Sequence, residues 1–175
     1  MLQLATGEGT VLTHPTQFSR LFEEYHGLVF RTAYRITGNA ADAEDVLQNI
    51  FLRLMRRDSS AAALTSEESY FRRAAVNASL DVLRARRGDL NLPLDESSSS
   101  AGDSEARELR DCLRRAFAKL SPRSAEVFAL RYFEDFTNRQ IAQMLDMSQM
   151  LVAVTLHRTR RQLQKEIQSY FGGKS

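Results

Sequence analysis

The residue types able to do chemistry are few and dispersed. The three histidines, His14, His26 and His157, cluster neither with one another nor with the single cysteine, Cys112, so no cysteine–histidine nucleophile or soft-metal ligand set is spelled out. No glycine-rich phosphate loop and no Gly-x-Ser-x-Gly occurs, which leaves phosphoryl and acyl transfer without their usual residues. Cys112, between Leu109 and Leu113, reads as a small buried apolar residue. The acids Asp42, Glu44 and Asp45 lie close together and admit three readings. Paired carboxylates can exchange protons or hold a divalent cation, acids near a helix start complement its dipole, and an acidic face can meet a basic partner. His26 is the nearest imidazole, one helix earlier, so a metal set is incomplete. Gln48 falls one turn beyond Glu44 and Asp45 and shares their helical face. No catalytic residue, metal ligand or cofactor is expected.

A second group has the composition of a nucleic-acid surface. Tyr70, Phe71, Arg72 and Arg73 interleave rings with guanidinium groups, a combination suited to unstacked bases and phosphates. Phe71 reads equally as core, and Tyr70 could be either. Asn77 and Asp81 follow at i, i+4, and an asparagine amide can read a base edge. Arg84, Arg86 and Arg87 close the same segment, where the helix dipole also favours cations.

The elements that must position these residues are all helical, with apolar spacing of three and four almost throughout and no two-residue alternation. The spacing predicts a first helix over 16–37, burying Phe18, Leu21, Phe22, Tyr25, Leu28 and Val29 and stopped by Gly38. Asn39 caps a second, whose stripe is Val46, Leu47, Ile50, Phe51, Leu54 and Met55. Thr65 and Glu68 make a capping box for a third, over 66–87, burying Phe71, Ala75, Ala78 and Val82. Later, Leu109, Cys112, Leu113, Ala116, Phe117 and Leu120 share one face. Ser121-Pro122 opens a further helix with Val127, Phe128, Leu130 and Phe133. Thr137 and Ser148 cap the last two helices.

Between the two groups of helices the composition changes. Residues 88–106 hold five acids and no basic residue. Four consecutive serines and flanking glycines cannot bury a core, so the segment reads as a flexible acidic linker. Charge divides at the same place: net +1 before the linker and net +6 after it, which points the C-terminal part toward a polyanion. The expected architecture is all-α, two small helical domains over 16–87 and 107–170. No run of 18 apolar residues and no signal-peptide pattern is present, so no membrane insertion is expected and the cytoplasm is the expected compartment.

The end of the chain has helix-turn-helix spacing. Ile141, Ala142 and Leu145 precede the break Asp146-Met147-Ser148, and Val152, Leu156 and Leu163 follow it. Two helices can cross steeply around so small a core, with Ala142 allowing close approach. The outward face is then Gln149, Met150, Ala153, Val154, His157 and Arg161, with Arg158 and Arg160 beside it.

These stretches resemble one family in order. Asp42-Ala-Glu-Asp-Val-Leu-Gln-Asn-Ile-Phe-Leu-Arg-Leu54 is similar to the region-2 motif of the extracytoplasmic-function branch of bacterial sigma factors. Tyr70 to Arg84 resembles that family's −10-reading helix. Leu120 to Phe133 resembles the opening of its region 4, and Ile141 to Arg160 its −35-reading helix-turn-helix. The resemblance spans about residues 16–168 and implies a sigma factor that directs core RNA polymerase to particular promoters. It implies polymerase contacts at Asp42, Glu44, Asp45 and Gln48. It implies promoter DNA contacts at Tyr70, Arg73, Asn77, Arg84, Ser148, Gln149, Ala153, His157, Arg158 and Arg161. An anti-sigma factor is a further candidate partner, and the linker would follow the polymerase's RNA path. Leu151, Ala153 and Val154 stand where the family often has threonine, a basic residue and a small polar residue. The alternatives are a helix-turn-helix repressor or activator acting without polymerase, and a sigma-like adaptor whose last helix docks on a protein.

Overall fold

A computed structural model of the chain describes residues 14–56, 66–88 and 101–172. Seven helices follow one another among them: α1 His14–Thr37, α2 Ala40–Arg56, α3 Glu67–Gly88, α4 Ala101–Ala118, α5 Pro122–Tyr132, α6 Asn138–Leu145 and α7 Gln149–Gly172. No strand occurs among the described residues.

Local chemistry sets most of the boundaries. Gly38 takes a φ of 64°, and its N–H donates to Tyr34 O at 2.8 Å, closing α1 in a conformation open to glycine at no steric cost. Asn39 Oδ1 then accepts from the Asp42 N–H at 3.1 Å to start α2. For α3 the cap is Ser66, whose Oγ accepts from Ser69 N at 3.2 Å. The expected cap Thr65 is one residue earlier and lies outside the described residues. Ser121 caps α5 with Pro122 at its first position. Thr137 and Gln140 form a reciprocal capping box on α6.

Helix α4 begins at Ala101, inside the segment expected as linker. The remainder of that segment, 89–100, lies outside the described residues, and with it most of the linker expectation.

Helices α1–α3 enclose a core of Leu21, Val29, Ala33, Ala43, Val46, Ile50, Phe51, Phe71 and Ala75. Fully burying each large side chain contributes roughly 1.5–3 kcal/mol. The stripes are narrower than expected at their ends. Phe22 is 39% exposed and Met55 65%, and Leu109 on α4 is 42% exposed. The second core joins Phe117, Leu120, Val127, Leu130, Ile141, Leu145, Val152, Leu156 and Leu163 of α4–α7 with Ile36 of α1 and Val76, Leu80 and Leu83 of α3. The C-terminal helices therefore pack directly on α1 and α3. Helix α3 carries two apolar stripes rotated by about one residue: Phe71 and Ala75 face the first core, Val76, Leu80 and Leu83 the second.

Candidate polymerase and nucleic-acid interfaces

The helix-turn-helix has the expected interior. Ile141, Ala142, Leu145, Val152, Leu156 and Leu163 are all buried. Asp146 ends α6 in the left-handed region, φ 51° and ψ 56°, its N–H bonded to Ala142 O. Ser148 Oγ accepts from the Leu151 N–H at 3.1 Å and starts α7. This fixes which face of α7 is free. Ser148, Gln149, Ala153, His157, Arg158 and Arg161 are all exposed. Met150 is 78% exposed, Leu151 50% and Val154 39%. Arg160 turns aside, its guanidinium donating to the Tyr132 hydroxyl and lying 5.7 Å from that ring's centroid. The first two turns of the free face are uncharged, and the cations follow at 158 and 161.

On α2, Glu44, Asp45 and Gln48 are exposed, and the same side continues into Leu52 and Met55, 48% and 65% exposed. The surface is acidic at its start and apolar beyond. Sequence periodicity placed Met55 in the core stripe and passed over Leu52; the spacing 45, 48, 52, 55 is itself the signal for a second, outward stripe. Asp42 does not share this surface. It is buried, with Oδ1 accepting from Arg86 Nη2 at 2.5 Å and Oδ2 without a partner. Burial pushes its carboxyl above the ordinary carboxylate range, against the opposing pull of Arg86.

On α3, Tyr70 is half-buried, packed edge-to-face on Phe71 at 5.4 Å. Arg73 Nε donates to Glu126 Oε1 at 2.8 Å, and Asn77 Nδ2 donates to the same oxygen at 2.9 Å. Arg84 pairs with Asp81 at 2.9 Å and leaves Nη2 buried without a partner. Arg73, Asn77, Asp81 and Arg84 line, with Pro122, Arg123 and Glu126, an open cleft of about 390 Å³ between α3 and α5. Sequence reasoning missed the two acids facing α3, Glu126 and Glu134. Their only local signal is an acid set among core-facing apolar residues, Ala125-Glu126-Val127 and Phe133-Glu134.

Among the described residues no three acids, histidines or cysteines approach closely enough to hold a metal ion. No described helix is long and apolar enough to cross a membrane.

Residues 21–88 match the family model for sigma-70 region 2, and residues 110–163 match that for sigma-70, region 4. The chain belongs to the extracytoplasmic-function branch of the sigma-70 family. The RNA polymerase sigma-E factor of Streptomyces avermitilis is 29% identical to this sigma factor over 154 residues, covering 85% of the chain and 86% of the relative. The ECF RNA polymerase sigma factor SigW of Bacillus subtilis is 21% identical over 165 residues, 86% and 88% of the two chains. SigL of Mycobacterium tuberculosis is 26% identical over 171 residues, 94% and 97%. Helices α1–α3 of the sigma factor thus correspond to region 2, and α4–α7 carry region 4.

Proposed function

We propose that this sigma factor binds core RNA polymerase and directs it to particular promoters, with no catalytic step of its own. The carrying observation is the order of two sigma regions along the chain, the second ending in a helix-turn-helix with a free recognition face. In this reading the exposed acids and amide of α2, Glu44, Asp45 and Gln48, with Leu52 and Met55 beyond them, meet the polymerase. Asp42 supports that helix from inside rather than touching the partner. Tyr70, Arg73, Asn77 and Arg84 on α3 take the −10 element as unstacked single strand.

Helix α7 enters the major groove at the −35 element. Met150, Leu151, Ala153 and Val154 can offer only apolar contact there, chiefly to thymine methyl groups. Polar reading falls to Ser148, Gln149 and His157, and Arg158 and Arg161 take phosphates. The working compartment is the cytoplasm, where polymerase and promoter are. The test is reconstitution. Core polymerase mixed with the chain should footprint and transcribe a subset of promoters in a genomic library. A chain that pulls down no core polymerase but protects duplex DNA alone would instead be a free-standing repressor or activator.

A further inference from the structure

The first turns of the second helix in a helix-turn-helix are the ones that meet base edges, and here they carry an apolar patch. Met150 is 78% exposed, Leu151 50% and Val154 39%, and Ala153 is exposed beside them. None of these side chains has a hydrogen-bond donor, and the Met150 thioether is only a weak acceptor. The buried stripe Val152, Leu156 and Leu163 fixes the rotation of α7, so the patch cannot turn inward. No cation folds over it. Arg160 is held back by Tyr132, whose hydroxyl accepts from its guanidinium, and Arg158 and Arg161 stand at least one turn further along α7. An exposed apolar patch rimmed by polar residues, here Ser148, Gln149, His157 and Arg158, marks a binding surface. Met150 and Val154 are ~6 Å apart along the helix axis, less than two base-pair steps of about 3.4 Å, so the patch covers a short stretch of the groove.

We propose that this patch reads the C5 methyl group of a pyrimidine rather than the base that carries it, so that thymine and 5-methylcytosine are equivalent beneath Met150 and Val154 at the −35 element. The proposal rests on the promoter-directing reading and names what its recognition helix recognises. In the major groove thymine offers a methyl group and the O4 acceptor, whereas cytosine offers the N4 amino donor and no methyl. Methylation of cytosine at C5 supplies the same methyl at the same ring carbon and leaves the amino group in place. A helix that reads polar edges separates the two bases by O4 against N4. This patch has no donor for O4 and no strong acceptor for N4, so the methyl alone distinguishes a pyrimidine that binds well from one that does not. Covering one methyl group is worth about fourfold in affinity. Arg158 and Arg161 add phosphate affinity that is the same for every sequence. A −35 element with cytosine beneath the patch is therefore a poor site until a cytosine-5 methyltransferase has acted on it, and a better one afterwards.

The experiment is selection of promoter duplexes by holoenzyme, the full chain reconstituted with core polymerase, from a pool randomised in the −35 element. The randomised segment alone is synthesised in four forms: thymine with cytosine, uracil with cytosine, thymine with 5-methylcytosine, and uracil with 5-methylcytosine. The first form should select thymine over cytosine beneath the patch by about fourfold for each methyl covered. The second should lose that preference, and the third should accept both pyrimidines equally. The fourth should reverse the first, taking 5-methylcytosine over uracil by about the same fourfold. Met150→Ala combined with Val154→Ala should flatten these preferences with unchanged far-ultraviolet circular dichroism of the chain, which identifies the positions that the patch covers. Uracil chosen over 5-methylcytosine at those positions overturns the proposal, because a base edge is then being read. So does the absence of a thymine preference there in the first form, and if the holoenzyme still transcribes its selected duplexes the promoter-directing reading stands. Holoenzyme that selects no sequence in any form and transcribes none removes both readings, and the patch is then a surface for docking on a protein.

Discussion

The Arg86 guanidinium, near the end of α3, holds Oδ1 of Asp42 in the first turn of α2, while the other carboxylate oxygen is buried without a hydrogen bond. The acid that opens the region-2 motif is therefore an internal tie between helices, and its ionisation is opposed by burial. A carboxyl whose native value is raised binds its proton more readily folded than unfolded, so it adds stability as pH falls and withdraws it as pH rises through the native value. Asp42→Asn should remove that component. Urea denaturation from pH 7 down toward 4 should show wild type gaining on the variant as pH is lowered. A constant difference would mean that Asp42 is ordinarily ionised in the fold.

Asp45 carries no such tie and is exposed. Asp45→Arg should leave helix content unchanged and stability within about 0.5 kcal/mol of wild type while weakening binding to core polymerase at least tenfold. Affinity measured by titration of labelled core settles it, and equal affinity would remove this face of α2 from the interface.

At the recognition helix, Arg158→Ala and Arg161→Ala should each lower holoenzyme affinity across all −35 variants alike. Each should flatten the logarithmic salt dependence by about one unit for every phosphate left without its arginine. Ala153→Lys should raise affinity with little gain in discrimination. Replacing thymine by uracil at −35, which deletes only the C5 methyl, should cost most where Val154 or Met150 lies. Untouched affinity and salt slope in both arginine variants would mean that α7 does not meet DNA and would favour the adaptor.

The turn of the helix-turn-helix offers a stability test. Asp146 holds a left-handed backbone that glycine adopts without steric cost. Asp146→Gly should stabilise region 4 by up to about 1 kcal/mol, seen as a higher melting temperature with unchanged promoter selectivity. A lower melting temperature would show that the carboxylate has a role beyond tolerating the turn.

Which parts could be read from the sequence follows from the range of each interaction. The caps at Asn39, Ser121, Thr137 and Ser148 bond within three residues, so residue type and spacing suffice. The same locality made Thr65 and Ser66 hard to separate, since either hydroxyl could cap. The recognition face of α7 followed from one buried stripe, Val152, Leu156 and Leu163. Helix α3 was harder because two stripes overlap on it, and periodicity found the one that serves region 2 alone. Asp42 with Arg86, Arg73 with Glu126, and Thr32 with Glu134 join residues 44, 53 and 102 apart. No spacing rule reaches that far, so the burial of those acids and the meeting of the two regions come only from the folded chain.

Because every side-chain donor to Glu134 comes from the other region, the two halves of the chain are not freely interchangeable parts. Graft this region 4 onto the region 2 of a relative that lacks basic side chains at the positions of Arg35 and Arg72, and the acid has nothing to meet. Such a hybrid would bury the carboxylate at 134 without its three side-chain donors, at a cost of several kcal/mol to the contact between the two regions. Exchanging halves between relatives would then change how firmly the two regions hold together. Positions 35, 72 and 134 would have to travel together for the original packing to survive.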